Sequence, residues 1–205
     1  VAGAGNATLN GNGGNDSITL SSGIYSVTTG AGADTITAGS GAATISAGAG
    51  LNVITALNAS ADTTAYSMTG GADSDNLTVG RGAFIIKGNS GTSNAGESDV
   101  ITVDGTATAN STYVITGGAR SKIQLGLGSA TVTGGSGNDT IVAGAGNATL
   151  NGNGGNDSIT LSSGIYSVIT GTGADTITAG SGAATISAGA GLNVITALNA
   201  SADTT

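Results

Sequence analysis

The sequence predicts an all-β fold, a parallel solenoid, and two repeats of different length predict it. The short repeat is an aliphatic residue at every ninth position: Leu9, Ile18, Val27, Ile36, Ile45 and Ile54 early in the chain, then Val132, Ile141, Leu150, Ile159, Val168, Ile177, Ile186 and Ile195 late in it. A short period of this kind means one small unit stacked on itself, each copy burying its apolar side against its neighbours. The long repeat is a block. Residues 1–64 return as 142–205, shifted by 141, with 62 of 64 positions identical and only Thr28 against Ile169 and Ala31 against Thr172 differing. Together the two periods predict an extended repetitive fibre rather than a globular enzyme.

Composition supports a narrow core. The 205 residues include 39 Gly, five aromatics, and no Pro, Cys, His or Trp. Ala is the commonest apolar residue, so few large side chains are available to fill a globular centre, whereas a solenoid needs only one or two per coil. The abundance of Gly, Ser, Asn and Thr also suits disorder, but disordered chains lack a regular aliphatic beat. Net charge is −8, and the only basic residues, Arg81, Lys87, Arg120 and Lys122, lie between the two copies. That leaves no basic patch for nucleic acid or acidic lipid. No apolar run approaches the length of a membrane span. The absence of Cys removes disulfides and thiol chemistry. The chain begins and ends at equivalent registers of the block, which predicts a window onto something longer.

In register, the second block reads GGSGNDTIV, AGAGNATLN, GNGGNDSIT, LSSGIYSVI, TGTGADTIT, AGSGAATIS, AGAGLNVIT. Each unit is a Gly-rich turn followed by a three-residue strand with an aliphatic centre. Gly at the turn positions permits positive φ and close backbone approach. The strand centres are β-branched or Leu, with Thr, Ser, Ala or Val mostly beside them, as suits a strand with one buried face. So much Gly excludes helix, at a cost of about 1 kcal/mol per residue against Ala.

The unit Gly134–Val142 resembles the calcium-binding nonapeptide repeat of RTX proteins at every defined position, and the units beginning at Gly152 and Thr170 resemble it well. The resemblance covers residues 1–54 and 134–196. It implies a right-handed parallel β-roll in which two nonapeptides, eighteen residues, make one coil, and hence about 11 coils over this length. Residues 1–205 are then expected to form one continuous β-solenoid, with 65–133 as degenerate coils carrying turn insertions.

The sixth position of each unit carries the calcium-ligating Asp in that family. Here it alternates: Ala7, Asp16, Tyr25, Asp34, Ala43, Asn52, Ala61 in the first copy, and Asp139, Ala148, Asp157, Tyr166, Asp175, Ala184, Asn193, Ala202 in the second. With two units per coil, all Asp and Asn fall on one side of the roll and all Ala and Tyr on the other. The sixth and eighth positions share strand parity, so both point inward. The middle of the chain obeys the same rule if its aliphatic positions are Thr63, Leu77, Ile86, Ile101, Ile115, Ile123 and Val132, preceded two residues earlier by Ala61, Asp75, Phe84, Asp99, Tyr113, Ser121 and Ala130. That register needs insertions of five, six and five residues and one deletion, giving fourteen units across the 141-residue repeat. Fourteen units are seven whole coils, so successive copies rejoin with their sides in phase.

Calcium is a hard cation that takes 6–8 oxygens at about 2.3–2.6 Å. The resemblance implies ions between Asp16 and Asp34, Asp139 and Asp157, and Asp157 and Asp175. Asn52 and Asn193 offer a neutral oxygen, so sites shared with Asp34 or Asp175 are expected to be weaker. Asp75 and Asp99 are candidates for a further site, although their turns lack the motif. Asp and Asn are also good turn residues in their own right. However, carboxylates stacked at about 4.8 Å repel one another unless a counter-ion lies between them. The Ala and Tyr side is expected to bind no metal, with Tyr25 and Tyr166 as core fillers.

Outward strand residues form mixed columns: Thr140 and Val142, Ser158 and Thr160, Thr176 and Thr178, Val194 and Thr196 on one face, and Thr149 and Asn151, Ser167 and Ile169, Thr185 and Ser187 on the other. Their irregularity argues against ice binding. Without His or Cys, and with the Asp spacing accounted for by metal, nothing recommends catalysis or a small-molecule substrate. The segment from Gly88 to Gly96 reads as an excursion of the chain. The resemblance implies a secreted bacterial protein, exported unfolded by a type I system at low cytosolic calcium and folded outside. The leading expectation is a structural segment of a surface fibre or adhesin in cell adhesion or biofilm matrix, with calcium, and further copies of itself end to end or laterally, as partners. An S-layer or sheath protein, and an export block of a secreted enzyme, are the alternatives.

Overall fold

In the computed structural model, which describes residues 1–58, 61, 64–89 and 96–197, the chain winds between two parallel sheets of ten strands each. One sheet contains β1 (Ala7–Asn10), β3 (Tyr25–Ala31), β5 (Ala43–Ala49), β7 (Ala65–Ala72), β9 (Ala83–Asn89), β11 (Thr112–Thr116), β13 (Ser129–Gly135), β15 (Ala148–Asn153), β17 (Tyr166–Ile169) and β19 (Ala184–Ser187). The other contains β2 (Ser17–Thr19), β4 (Thr35–Thr37), β6 (Val53–Asn58), β8 (Asn76–Arg81), β10 (Asp99–Val103), β12 (Ser121–Gln124), β14 (Thr140–Val142), β16 (Ser158–Thr160), β18 (Thr176–Ala179) and β20 (Val194–Ala197). Strand order within each sheet is chain order, so each pair of strands is one coil and the coils stack without a crossover. There is no helix among the described residues. The all-β solenoid is therefore as expected, with ten coils described; an eleventh would fall on residues 198–205, outside the described set.

The register follows from the nine-residue beat. Leu9 pairs with Val27 and Val27 with Ile45 in one sheet, while Ile18 pairs with Ile36 and Ile36 with Ile54 in the other, each step eighteen residues. Side chains alternate across a strand, so these aliphatic centres form two inward columns. Ile36, Ile54, Leu77, Ile86, Ile101, Ile123, Ile141 and Leu150 are fully buried in one core cluster. Stacking is what buries them. Ile54, covered by β8, is 0% exposed, whereas its repeat equivalent Ile195, which no described coil covers, is 50% exposed.

Turns pack as closely as the strands do. Gly48 has φ of 93°, and a Cβ there would lie 2.0 Å from the carbonyl oxygen of Gly30 one coil below. Only Gly fits such a site. Asn12 and Asn153, at φ of 71° and 73°, take the left-handed conformation that Asn tolerates.

In one place the register differs from the sequence expectation. Ala43 pairs with Tyr66 and Ile45 with Met68, so Tyr66 and Met68, rather than Ala61 and Thr63, occupy the inward positions of that coil. Ala61 lies in a bend before β7, and Thr63 lies outside the described residues. The five-residue insertion thus precedes this strand instead of following it. The cause is aromatic packing. Tyr66 stacks on Phe84 with centroids 4.8 Å apart and rings 8° from parallel, Phe84 continues onto Tyr113 at 5.8 Å, and the Tyr66 hydroxyl donates to the Gly39 carbonyl at 2.6 Å. An aromatic column fills this side of the core far better than Ala61 could. Met68 then sits nine residues before Leu77, so the aliphatic beat is restored one strand earlier than expected. From Leu77 through Ile86, Ile101, Ile115 and Ile123 to Val132 and Ile141, every aliphatic position is in the expected register.

The outward faces remain mixed. Thr19, Thr37, Thr55, Thr78 and Thr102 do line up in register, but Gln124 and Val142 interrupt the column before Thr160, Thr178 and Thr196. The neighbouring column runs Ser17, Thr35, Val53, Asn76, Val100 and Lys122.

Candidate metal centre

The two sides of the roll differ as the sixth-position pattern requires. Ala7, Tyr25, Ala43, Tyr66, Phe84, Tyr113, Ala130, Ala148, Tyr166 and Ala184 stack in register on the sheet of β1. Tyr25 and Tyr166 are buried, and their hydroxyls donate to the carbonyls of Gly3 and Gly144. They are core fillers.

The opposite turns, which lead into the strands of the other sheet, carry Asp16, Asp34, Asn52, Asp75, Asp99, Ser121, Asp139, Asp157, Asp175 and Asn193 in one row. Hydrogen bonds tie the row together. The backbone N–H of Asp16 donates to Asp34 Oδ1 at 2.8 Å, that of Asp34 to Asn52 Oδ1 at 3.1 Å, that of Asn52 to Asp75 Oδ1 at 2.9 Å and that of Asp75 to Asp99 Oδ1 at 3.0 Å. Further up, the N–H of Ser121 donates to Asp139 Oδ1, and the ladder continues from Asp139 to Asp157, Asp157 to Asp175 and Asp175 to Asn193 at 2.6–2.9 Å. All nine residues expected from the sequence as metal ligands are therefore in one row, including Asp75 and Asp99, whose turns lack the motif. Ser121 is the neutral interruption: its Oγ accepts from the Gly118 N–H and donates to the Gly134 carbonyl.

Every carboxylate in the row after Asp16 spends Oδ1 on a backbone N–H of the neighbouring coil. Oδ2 is another matter. In Asp16, Asp34, Asp75, Asp139, Asp157 and Asp175 it is buried with no hydrogen-bond partner. Native proteins rarely leave buried polar atoms so, and a repeated orphan calls for an explanation. The surroundings of Oδ2 are oxygen. A Cβ added to Gly152 would lie 2.2 Å from Asp157 Oδ2 and 3.0 Å from the Thr170 carbonyl oxygen of the next coil. At Gly134 the same two distances are 2.4 Å to Asp139 Oδ2 and 3.1 Å to the Gly152 carbonyl, and at Gly11 they are 2.0 Å to Asp16 Oδ2 and 3.1 Å to the Thr29 carbonyl. Gly thus leaves a cradle bounded by an anionic oxygen and a carbonyl oxygen. Among the described residues no three His, Cys, Asp or Glu side chains converge. Any ion here has to draw on turn carbonyls together with the carboxylates. All-oxygen donors of this kind fit a hard cation.

Burial shows in the acidities. Asp75 and Asp139 are pushed up to about 7 and Asp157 to about 6. Desolvation is the main cause in each case. The donated backbone N–H pulls the other way, and the next carboxylate, Asp99, Asp157 or Asp175 respectively, adds to the rise. Asp99 is raised for the same leading reason, with Glu97 adding to it.

A family model of the RTX calcium-binding nonapeptide repeat matches in four copies, over residues 1–24, 26–57, 126–166 and 167–198, more than half of the chain. The chain belongs to this RTX repeat family. Its members bind calcium, a hard cation of the kind that the oxygen donors of the row fit. Neither the curated proteins nor the solved structures contain a match to the chain. The family model leaves residues 58–125 uncovered, and these hold the register change at Tyr66; of the excursion expected from Gly88 to Gly96, residues 90–95 lie outside the described residues.

Two features of the RTX row were not read from the sequence. The first is the opening residue of each turn, which faces Oδ2. It is Gly at Gly11, Gly70, Gly88, Gly134 and Gly152, but Thr at Thr29 and Thr170 and Ala at Ala47 and Ala188. The Thr29 and Thr170 hydroxyls donate to the Ala47 and Ala188 carbonyls at 2.7 Å, bridging one coil to the next. A position-by-position comparison of the turns would have shown this variation. The second is a ladder of exposed asparagines one residue before the row. Asn15, Asn138 and Asn156 accept through Oδ1 from the N–H of Ala33, Asn156 and Ala174 at 2.7–2.9 Å. Fifth and sixth positions alike therefore accept a backbone N–H from a neighbouring coil, one in solvent and the other inside.

Proposed function

We propose that this RTX roll is a calcium-stiffened spacer in a secreted bacterial surface fibre, of the adhesin or biofilm-matrix kind. Phase is the observation that carries the reading. β15 repeats β1 and β16 repeats β2 after 141 residues, and each lies in the same sheet as its counterpart, with seven strands of separation in that sheet. The irregular middle does not disturb this, because its insertions and its deletion leave a whole number of coils. A chain of further copies would continue as one solenoid domain, each copy adding about 34 Å at about 4.8 Å per coil. Export blocks have no need of a duplicated in-phase spacer. Reach does.

In this reading Asp16 with Asp34, Asp75 with Asp99, and Asp139, Asp157 and Asp175 hold calcium between successive turns, with Oδ2 and the turn carbonyls as donors. The bound ion supplies the positive charge that allows buried carboxylates to remain ionised. The residues around it provide the rest: Gly11, Gly134 and Gly152 leave the room, and the backbone N–H of each preceding coil fixes Oδ1 so that Oδ2 faces the carbonyls. Folding and ion binding are then linked, as for any ligand that binds only the folded chain.

Scattering tests the spacer. Chains of two, three and four long repeats in calcium should lengthen by about 34 Å per repeat at constant cross-sectional radius. A compact particle, or a cross-section that grows with repeat number, would refute the rod. Calorimetry tests the sites. Asp157 lies between Asp139 and Asp175 in the row, so Asp157→Ala should remove more than one calcium ion per chain. Loss of a single ion would mean that the sites are not shared.

A further inference from the structure

Asn52 and Asn193 occupy the row in a way that the Asp residues do not. Their Oδ1 atoms accept the N–H of Asp34 and Asp175 at 3.1 and 2.9 Å, as an Asp Oδ1 does. The other terminal atom is Nδ2. In Asn52 it donates to the Gly50 carbonyl at 2.9 Å and to the Gly70 carbonyl of the next coil at 3.3 Å. In Asn193 it donates to the Ala188 and Gly189 carbonyls at 2.9 and 3.4 Å. The amide orientation is settled by its partners, since the reverse would set NH₂ against N–H and oxygen against carbonyl oxygen. So at Asn52 the opening carbonyl of the next coil, the equivalent of the Thr170 carbonyl beside Asp157 Oδ2, faces a hydrogen-bond donor, and at Asn193 the donor is spent on carbonyls of its own turn.

The opening residue of the turn changes with it. Ala47 and Ala188 stand where Gly11, Gly70, Gly134 and Gly152 stand in four of the Asp coils; the Asp34 and Asp175 coils carry Thr29 and Thr170 there, whose hydroxyls bond the Ala47 and Ala188 carbonyls. Ala47 is fully buried. Its methyl occupies the place that, at Gly11, would bring a Cβ to 2.0 Å from Asp16 Oδ2. Two features, a methyl at the opening of the turn and an amide nitrogen bonded to turn carbonyls, therefore coincide at the same coils in both copies, although the carbonyls bonded differ.

We infer that the Ala47–Asn52 and Ala188–Asn193 coils are closed to metal, the amide nitrogen and the methyl together taking the cation's place, so that each 141-residue repeat interrupts the calcium row at its Asn coil as well as at the neutral Ser121 coil. This rests on the calcium reading of the Asp coils and departs from the expectation that Asn sites are merely weaker. The side chains of the closed coils make neutral hydrogen bonds that need no calcium, and these coils fix how many ions each repeat can take. Specificity here is carried by Asn against Asp and Ala against Gly, at positions that leave the fold unchanged.

Counting bound ions tests it. Equilibrium dialysis with calcium on the 205-residue chain gives the wild-type stoichiometry. The double variant Ala47→Gly/Asn52→Asp should bind at least one ion more per chain than wild type, and Asp157→Asn should bind at least one fewer. Circular dichroism in saturating calcium verifies that each variant is folded. An unchanged count in folded Ala47→Gly/Asn52→Asp overturns the closure. If Ala47→Gly/Asn52→Asp does not fold, the reciprocal test decides: folded Asp157→Asn that keeps the wild-type count shows that Asn does not close a coil, and overturns the inference equally. A wild-type chain that binds no calcium at all would instead sink the calcium reading itself, a result distinct from either.

Discussion

Chelating calcium at pH 8 is expected to abolish the strand signal of the chain in far-ultraviolet circular dichroism, and adding calcium back is expected to restore it. The row contains six buried carboxylate oxygens that nothing in the fold satisfies. An uncompensated buried charge costs several kcal/mol, and a domain is stable by only about 5–15 kcal/mol in total. Several such charges in one row exceed what a core of this composition can offset, since each coil contributes little more than two aliphatic side chains and an Ala or an aromatic. Magnesium at equal concentration should restore little of the signal, because it demands octahedral geometry and gives up its water reluctantly. Replacing Asp139, Asp157 and Asp175 together by Asn should preserve the strand signal in chelator over the second copy, as the Asn52 and Asn193 coils already need no ion by their hydrogen bonding. A full strand spectrum of the wild type in chelator at pH 8 would contradict the coupling.

Much of this architecture is legible in the sequence because a solenoid is nearly one-dimensional. Ile36, Ile141 and Ile177 could be placed inside from spacing alone, since each coil meets only its two neighbours and the register is simply the period. The sidedness of the row was legible for a similar reason: Asp16 and Asp34 are eighteen residues apart, and Tyr25 lies midway. What was not legible was where the period is broken. Ala61 and Tyr66 compete for one inward position, and spacing cannot choose between them. The choice is made by contact with Phe84, a residue eighteen positions beyond Tyr66 whose ring is in place to stack. Nor did the sixth position alone reveal the site. Whether its carboxylate faces an open cradle or a methyl depends on a residue five positions earlier, Gly134 for Asp139 but Ala47 for Asn52. That pairing exists only across the turn.

In calcium-free solution the roll should become more stable as the pH falls from 8 to 5. The sign follows from the buried acids. Asp75 and Asp139 sit at about 7 and Asp157 at about 6 in the folded chain, all above the ordinary carboxylate value of 3.8 that they regain on unfolding. The folded state therefore binds protons more tightly than the unfolded state. The resulting stability is fully present below the unfolded value and is lost as pH rises through 6 to 7. Each tenfold difference in proton affinity is worth about 1.4 kcal/mol, so three sites move the unfolding midpoint visibly. A proton on Oδ2 can donate to the neighbouring carbonyl much as the Asn52 amide does, which is the structural reason why acid can stand in for metal. Saturating calcium should reverse the slope, because the ion holds the carboxylates ionised and protons then compete with it. Relief of general repulsion in a chain of charge −8 has the same sign as the calcium-free effect. The variant Asp75→Asn/Asp139→Asn/Asp157→Asn separates the two, since it should flatten the calcium-free slope between pH 5 and 8 while leaving most of the charge in place. A strand signal of the calcium-free wild type that does not recover as the pH is taken from 8 to 5 would show that these carboxylates are not buried as the row requires.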